Sequence, residues 1–529
     1  MIGGGDSSIF YWAWWWVPRA VERGVNPLVT NDIMYPVGVD LSATVTAPAV
    51  SLLSWPVRAM FGPEAQVNAV QLSAVFLAAV SAYFLLQRLW DDRAVAMIVG
   101  AAFAFTPYRF VHLGEHLNLV HTAVVPLSVT ALLRLVERPS WARAGALGGA
   151  IGGAFLIEPQ LAVISAVGVG VLALAQPPGS RPPGPKLVAV LGTALLVSLP
   201  VLVPLALAVL GGESSDPAGA SDIVHFSSSI FSWLIPPASH PVFGELADVD
   251  LLSSYPEGLA YPGLVLIGLA LAGGRLMSSS DRRGWIALAA VGVVLSFGPY
   301  LLIGTKYIEL PLPYMLVREL PFMDTMRVPG RFALLGVLAI CVLAAGSLAS
   351  LTQRHPKGRE LILLVCASIL AIELWPGGLP GRPGGAPEPY SAIAEHAGAG
   401  AVLEIPLQWS TGAEVIGMES GDRNAAIFMA WATVHGKPYV GGSVSRYPDA
   451  RIEQLYAIDV FRQVLAMQDV EPFEDRPTFD EQDLADLGIG YVVYHRDAPE
   501  PAVLDHMRSL DMPVLADDGT IIVWEVPED

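Results

Sequence analysis

Charge is scarce in this chain and cysteine is nearly absent. Only 15% of the 529 residues are charged, against roughly 25% in an ordinary soluble protein. The deficit argues against a chain of soluble domains alone, because 53% of residues are hydrophobic and mean hydropathy is +0.52. Basic residues are the rarer sign, 30 Lys+Arg against 49 Asp+Glu. From Pro376 onward the count is 9 against 26, so the tail carries nearly all of the net charge of −19. A nucleic-acid partner would need a basic patch, and an anionic leaflet would repel such a tail. The two cysteines, Cys341 and Cys366, lie in apolar blocks. That excludes a disulfide framework and a thiolate metal site. The opening MIGGGDSSIF lacks the basic and apolar regions of a signal peptide. We expect the chain to begin beyond a first transmembrane helix. No internal repeat of fixed period is visible.

The abundant feature is apolar blocks, concentrated before about residue 376, of the length a bilayer requires. Candidate spans are 66–88, 94–107, 118–136, 143–157, 160–176, 187–210, 260–274, 284–303, 329–351 and 360–375. The stretch 143–176 could be one tilted helix, but Glu158-Pro159 favours a break. With 1–65 outside, alternate short loops should be basic. They are: Arg88 and Arg93; Arg134, Arg138 and Arg143; Arg181 and Lys186; Arg275, Arg282 and Arg283; Arg354, Lys357 and Arg359. The opposite loop 211–259 has no Lys or Arg. The expected fold is therefore an α-helical polytopic bundle of about ten transmembrane helices with a C-terminal α/β domain. Residues 1–375 form the membrane domain with a first outer loop 1–65, 376–389 a Pro/Gly linker, and 390–529 a non-cytoplasmic domain. In that domain Ala401–Ile405, Ile489–Tyr494 and Ile521–Val526 read as strands, rich in Val and Ile.

Four segments could carry chemistry. The first, residues 5–41, sets Asp6 before an aromatic run with Trp12, Trp14, Trp15 and Trp16. The tryptophans read first as an interfacial belt, and otherwise as a platform for sugar or lipid. Asp6 can serve as a general base if a hydroxyl comes within hydrogen-bond reach, or it caps a helix; Asp32 and Asp40 compete for the base role. The second, FTPYRFVHLGEHLNLVH, holds Arg109, His112, Glu115 and His116 in an outer loop. His112 and His116 are four apart, a spacing that binds metal on a helix, but the glutamate following the first histidine of a zincin is missing. We expect His112, Glu115 and His116, with Glu158 as the third segment, to line a polar cavity rather than to hold a metal. Arg109 offers a planar fork for phosphate. The fourth segment, LPYMLVRELPFMDTMRVPGRFALL, carries Arg327 and Arg331 four apart, expected on one face at the outer end of a helix. Outer-side arginines oppose the topology bias, so an anion site is favoured over interfacial snorkelling. Neither side chain is expected to be needed for folding.

As a set, GDSSIFYWAWWWVPRAVERGVNPL, YPVGVDL, FAFTPYRFVHLGEHLNL, MRVPGRF, VLEIPL and VHGKPYVGGSVSRYP resemble membrane proteins of the C-type (GT-C) glycosyltransferase superfamily, in a largely uncharacterised actinobacterial-type subfamily. The resemblance runs over most of the chain. It implies a polyprenyl-phosphate-linked sugar as donor, a glycan or lipid acceptor outside, and an acidic residue in the first outer loop, matched here by Asp6. Transfer with inversion would have Asp6 take the acceptor proton, while Arg109, Arg327 and Arg331 hold the leaving phosphate. No cofactor is demanded, although a divalent cation is compatible with the chemistry. A non-catalytic lipid-glycan binder or exporter of the same fold is the alternative. An ion-coupled transporter would show inverted repeats, which are not seen.

Overall fold

The computed structural model describes residues 5–44, 46–211, 220–246, 251–252, 256–276, 279–319, 326–377, 385–411, 414–417, 425–468, 478–496 and 501–527. Much of the expected linker 376–389 lies outside these residues, as does part of the loop 211–259. The chain divides into two compact units. One comprises 1–68, 201–215 and 381–529, the other 69–200 and 216–380.

The unit of residues 69–200 and 216–380 is helical, and its centre is the helix Ala333–Arg354. This helix is apolar on all sides and almost entirely buried, as a helix without a polar face must be. It packs against Leu264–Leu276, Ser279–Ser296 and Arg93–Ala104. The crossing with Ser279–Ser296 is close because two glycines meet. A Cβ on Gly292 would stand 2.3 Å from the Gly336 nitrogen. Small residues that let backbones approach are the usual device of membrane helix packing. The helix Leu264–Leu276 starts where it does because the buried Glu373 carboxylate accepts from the Leu264 and Val265 N–H groups and from the Tyr261 hydroxyl. An anion at a helix N-terminus satisfies donors the helix cannot.

Among the described residues three helices are long and apolar enough to cross a membrane: Pro63–Trp90, Gly184–Leu210 and Pro329–Arg354. A fourth is counted if Arg93–Ala104 and Pro107–Gly114, bent by 41°, form one span. Shorter apolar helices include Trp141–Ile157 and Pro159–Ala175, so the break expected at Glu158-Pro159 is present. Few residues of the apolar stretch of Gly184–Leu210 are buried. Leu187, Val188, Leu191, Leu195 and Leu196 all face outward on it. A contiguous apolar surface of this length is stable only against lipid.

The other unit is built from both ends of the described chain. Its four-stranded sheet runs in the order Val514–Asp517, Ile521–Glu525, Ile489–His495, Ala401–Ile405. The last pair is parallel and the others antiparallel. Ile489–His495 and Ala401–Ile405 are buried at every position, as their unbroken Val/Ile content requires. The helix Asp6–Glu22 packs against Ala425–His435 and Pro48–Phe61. Backbone bonds join Met34 to Gly441, Tyr35 to Tyr439 and Tyr439 to Asp32, and the Tyr447 hydroxyl donates to Gly38 O at 2.9 Å. Trp12, Trp14 and Trp16 are therefore core residues of this unit, and of the four neighbours only Trp15 stays half-buried.

Candidate functional site

A buried polar cluster lies in the helical unit, assembled from four short segments. Arg331 sits in the 3-10 turn Pro329–Phe332 that leads into the central helix. His112 lies on the helix Pro107–Gly114, and His116 just beyond it. Glu158 occupies the turn between Trp141–Ile157 and Pro159–Ala175, where its side chain accepts from the Gln160 N–H at 3.2 Å. Glu257 comes from the 3-10 turn Pro256–Gly258. The Glu257 and Arg331 turns can meet because residue 330 is glycine, where a Cβ would stand 2.5 Å from the Glu257 carbonyl oxygen.

Glu257 is the hub. Arg331 grips it with two donors, Nε to Oε2 at 3.0 Å and Nη2 to Oε1 at 2.5 Å. The same guanidinium donates to Gln160 Oε1. His112 Nε2 lies 3.0 Å from Glu257 Oε2, and His116 Nε2 lies 3.5 Å from Oε1. His112 Nδ1 meets the Tyr108 carbonyl oxygen at 2.5 Å, so Nδ1 carries a proton. Its Nε2 faces the Glu257 carboxylate, so both ring nitrogens meet hydrogen-bond acceptors. Asn118 donates to the Glu158 carboxylate. Burial would raise the Glu257 carboxyl, but the Arg331 and His112 charges and hydrogen bonds outweigh it and hold it well below the usual carboxylate range. The Glu257–Arg331 pair is thus desolvated and bonded at two points, the condition for stability at low dielectric.

Of the residues singled out from sequence, the cluster gathers Arg331, His112, His116 and Glu158. Glu115 is exposed at the end of its helix. Arg109 is fully buried and directs its fork to the Phe103 and Ala104 carbonyls and the Thr122 hydroxyl. There it caps the C-terminal end of Arg93–Ala104, a cation at the negative helix end. Arg327 does not share a helical face with Arg331. Residues 326–328 form no helix and the turn begins only at Pro329, since proline disfavours helix at the residue before it. Arg327 is half-buried and has no ion-pair partner among the described residues. Asp6 belongs to the other compact unit, exposed in the first turn of Asp6–Glu22. The expectation that Arg331 is dispensable for folding is also overturned, because it is buried and holds two oxygens of a buried carboxylate.

Glu257, Gln160 and Asn118 were not singled out. The available signal for Glu257 was electrostatic. Arg331 is buried among apolar segments, and a buried arginine needs a counter-ion.

Ligand atoms of His112, His116 and Glu257 all lie within 4.8 Å of one another, close enough to surround one cation. The set nevertheless fits a metal poorly. Both Glu257 oxygens already accept from Arg331, and a divalent ion there would face a guanidinium at contact distance.

Over its whole length the chain has the GT-C-type membrane fold. It resembles the arabinofuranosyltransferase AftD from Mycobacteria at 16% identity and a TM-score of 0.58, with 97% of this chain and 37% of that one covered. It resembles ArnT from Cupriavidus metallidurans, solved bound to undecaprenyl phosphate, at 13% identity and a TM-score of 0.55, with 100% and 94% covered. The chain thus spans little more than a third of AftD and nearly all of ArnT. It belongs to the family described as Domain of unknown function (DUF6311), whose model matches residues 1–374. No curated protein matches its sequence.

Proposed function

We propose that the protein is a membrane glycosyltransferase that moves a sugar from a polyprenyl-phosphate donor to an extracytoplasmic glycan or lipid acceptor. The observation that carries this reading is the end-to-end likeness to ArnT, a structure bound to undecaprenyl phosphate. The loop-charge pattern supports the accompanying topology of about ten spans, with the loop 1–65 and the domain 390–529 on the non-cytoplasmic side.

In this reading the acceptor hydroxyl oxygen bonds to the anomeric carbon as the bond from that carbon to the phosphate oxygen breaks. The electron pair leaves with the polyprenyl phosphate, the anomeric centre inverts, and Asp6 takes the hydroxyl proton. Charge grows on the leaving phosphate, where a preoriented guanidinium lowers the barrier. Arg327 is the freer candidate for that contact, and Arg331, held in place by Glu257, the more rigid one. His112, His116 and Glu158 keep that arginine oriented. Arg109, spent on backbone carbonyls, acts through the fold.

The test is transfer from a short-chain polyprenyl-phosphate sugar by the full chain in membranes. Asp6→Asn should insert normally and slow transfer by ~10²–10⁴-fold, the usual size of a general-base contribution. Parental turnover by Asp6→Asn would move the base to another residue, whereas absence of transfer by the parent itself would support the non-catalytic binder of the same fold.

A further inference from the structure

A cavity of about 370 Å³ opens within the unit formed by residues 1–68, 201–215 and 381–529. Its polar and aromatic lining comes from three places in the sequence. Tyr11 and Trp15 project from Asp6–Glu22, Arg58 and Glu64 from the helices Pro48–Phe61 and Pro63–Trp90, and Trp431 and Thr433 from Ala425–His435. Trp15 and Trp431 stay half-buried, whereas Trp12, Trp14 and Trp16 enter the core. The Arg58 guanidinium lies 5.2 Å over the Tyr11 ring and donates to Gln66 Oε1 at 3.2 Å. The Tyr11 side chain shares this lining with Thr433 and Glu64.

This lining selects a ligand chemistry. Arg58 and Glu64 cancel in charge, so the cavity has no net pull on an anion. Aromatic walls favour a flat face of C–H groups. A guanidinium, a carboxylate and two hydroxyls present donors and acceptors side by side, which adjacent hydroxyl groups can bridge. The volume is at the small end of ligand pockets, room for about one or two sugar rings.

We propose that this cavity binds a neutral saccharide, holding one or two rings of a glycan against Trp15 and Trp431. It is a holding site, separate from the base. On a helix of 3.6 residues per turn, Tyr11 and Trp15 project roughly 140° and 180° away from Asp6. The inference does not rest on the transfer reading, since a protein that binds saccharide here and transfers none would still satisfy it.

The experiment titrates the full chain in nanodiscs with maltotetraose, mannotetraose and arabinotetraose, with inorganic phosphate as the anionic probe. Saturable binding of at least one tetrasaccharide is expected. Arg58→Gln and Trp431→Ala should weaken it about tenfold or more, the size of a lost hydrogen bond to a charged group or a lost stacking face. Trp431 also packs edge-on against Tyr390 at 5.4 Å, so its removal could disturb folding. Glu64→Gln, on an exposed side chain, is the second variant and should weaken binding with an unchanged thermal midpoint. Asp6→Asn should bind the saccharide like the parent. The proposal is overturned if no tetrasaccharide saturates, or if phosphate binds and the sugars do not. It is equally overturned if Arg58→Gln and Glu64→Gln bind like the parent, or if Asp6→Asn loses the sugar as they do.

Discussion

Removing the Glu257 carboxylate would leave Arg331 buried without its counter-charge. Glu257→Gln should therefore destabilise the protein by ~3–5 kcal/mol, the cost of breaking a buried pair from one side. Arg331→Lys should fall between the parent and Arg331→Ala, because lysine keeps the charge and loses the two-pronged grip. Replacing both partners, Glu257→Leu with Arg331→Met, should recover most of the loss, since apolar pairs of similar volume often match buried ion pairs. Chemical unfolding of the four proteins in detergent checks the order. A Glu257→Gln protein as stable as the parent would mean that water reaches Arg331. Arg331 itself was legible in sequence, because it stood against the loop-charge pattern expected there. Glu257 was not, because the pairing spans 74 residues and nothing local marks it. Arg109 drew attention for the same reason as Arg331, yet its fork went to carbonyls five and six residues back. Residue type and loop position do not separate these outcomes.

Among the helices, composition announced the apolar segments and the proline announced the break after Glu158. Composition did not announce where the loop after Gly114 ends. The span expected from 118 forms a helix only from Val124, because Asn118 and the residues around it form turns that feed the polar cluster. The contact between Ser279–Ser296 and Ala333–Arg354 depends on Gly292 and Gly336 lying backbone to backbone. Gly292→Ala should cost ~1–3 kcal/mol, the range for overpacking a tight contact, because the obstructing atoms are backbone. Gly149→Ala is the control. No atom lies within 4 Å of the added Cβ, and alanine is the better helix former. Thermal midpoints of both variants in the same detergent test the assignment. Equal midpoints would mean that the two helices can slide apart without loss.

For the molecule as a whole, the fold class was legible through its apolar blocks and a set of motifs, while the grouping of residues 1–68 with 381–529 was not. That grouping rests on backbone bonds such as Met34 to Gly441, which no periodicity encodes. The topology can be probed with thiols, because Cys341 and Cys366 are both buried and give little background. Single cysteines at Val242 and Ser509, both exposed, should react with an impermeant reagent in intact cells. A cysteine at Lys357, exposed in a loop of the basic set, should be protected. Labelling in the opposite sense would reverse the orientation and remove the basis for an extracytoplasmic acceptor.

The helix bearing Trp12, Trp14 and Trp16 leaves the ribosome early, yet the helix it packs on, Ala425–His435, is made some four hundred residues later. During that interval the three indoles that end in the core have only part of their native cover, the part that Pro48–Phe61 supplies. Synthesis therefore imposes a waiting period in which the amino-terminal segment must be shielded by lipid or by a chaperone. A ribosome that stops short of residue 425 leaves that cover incomplete. Copies that end before residue 425 lack the helix that closes over this aromatic surface, and should be cleared faster than the full chain.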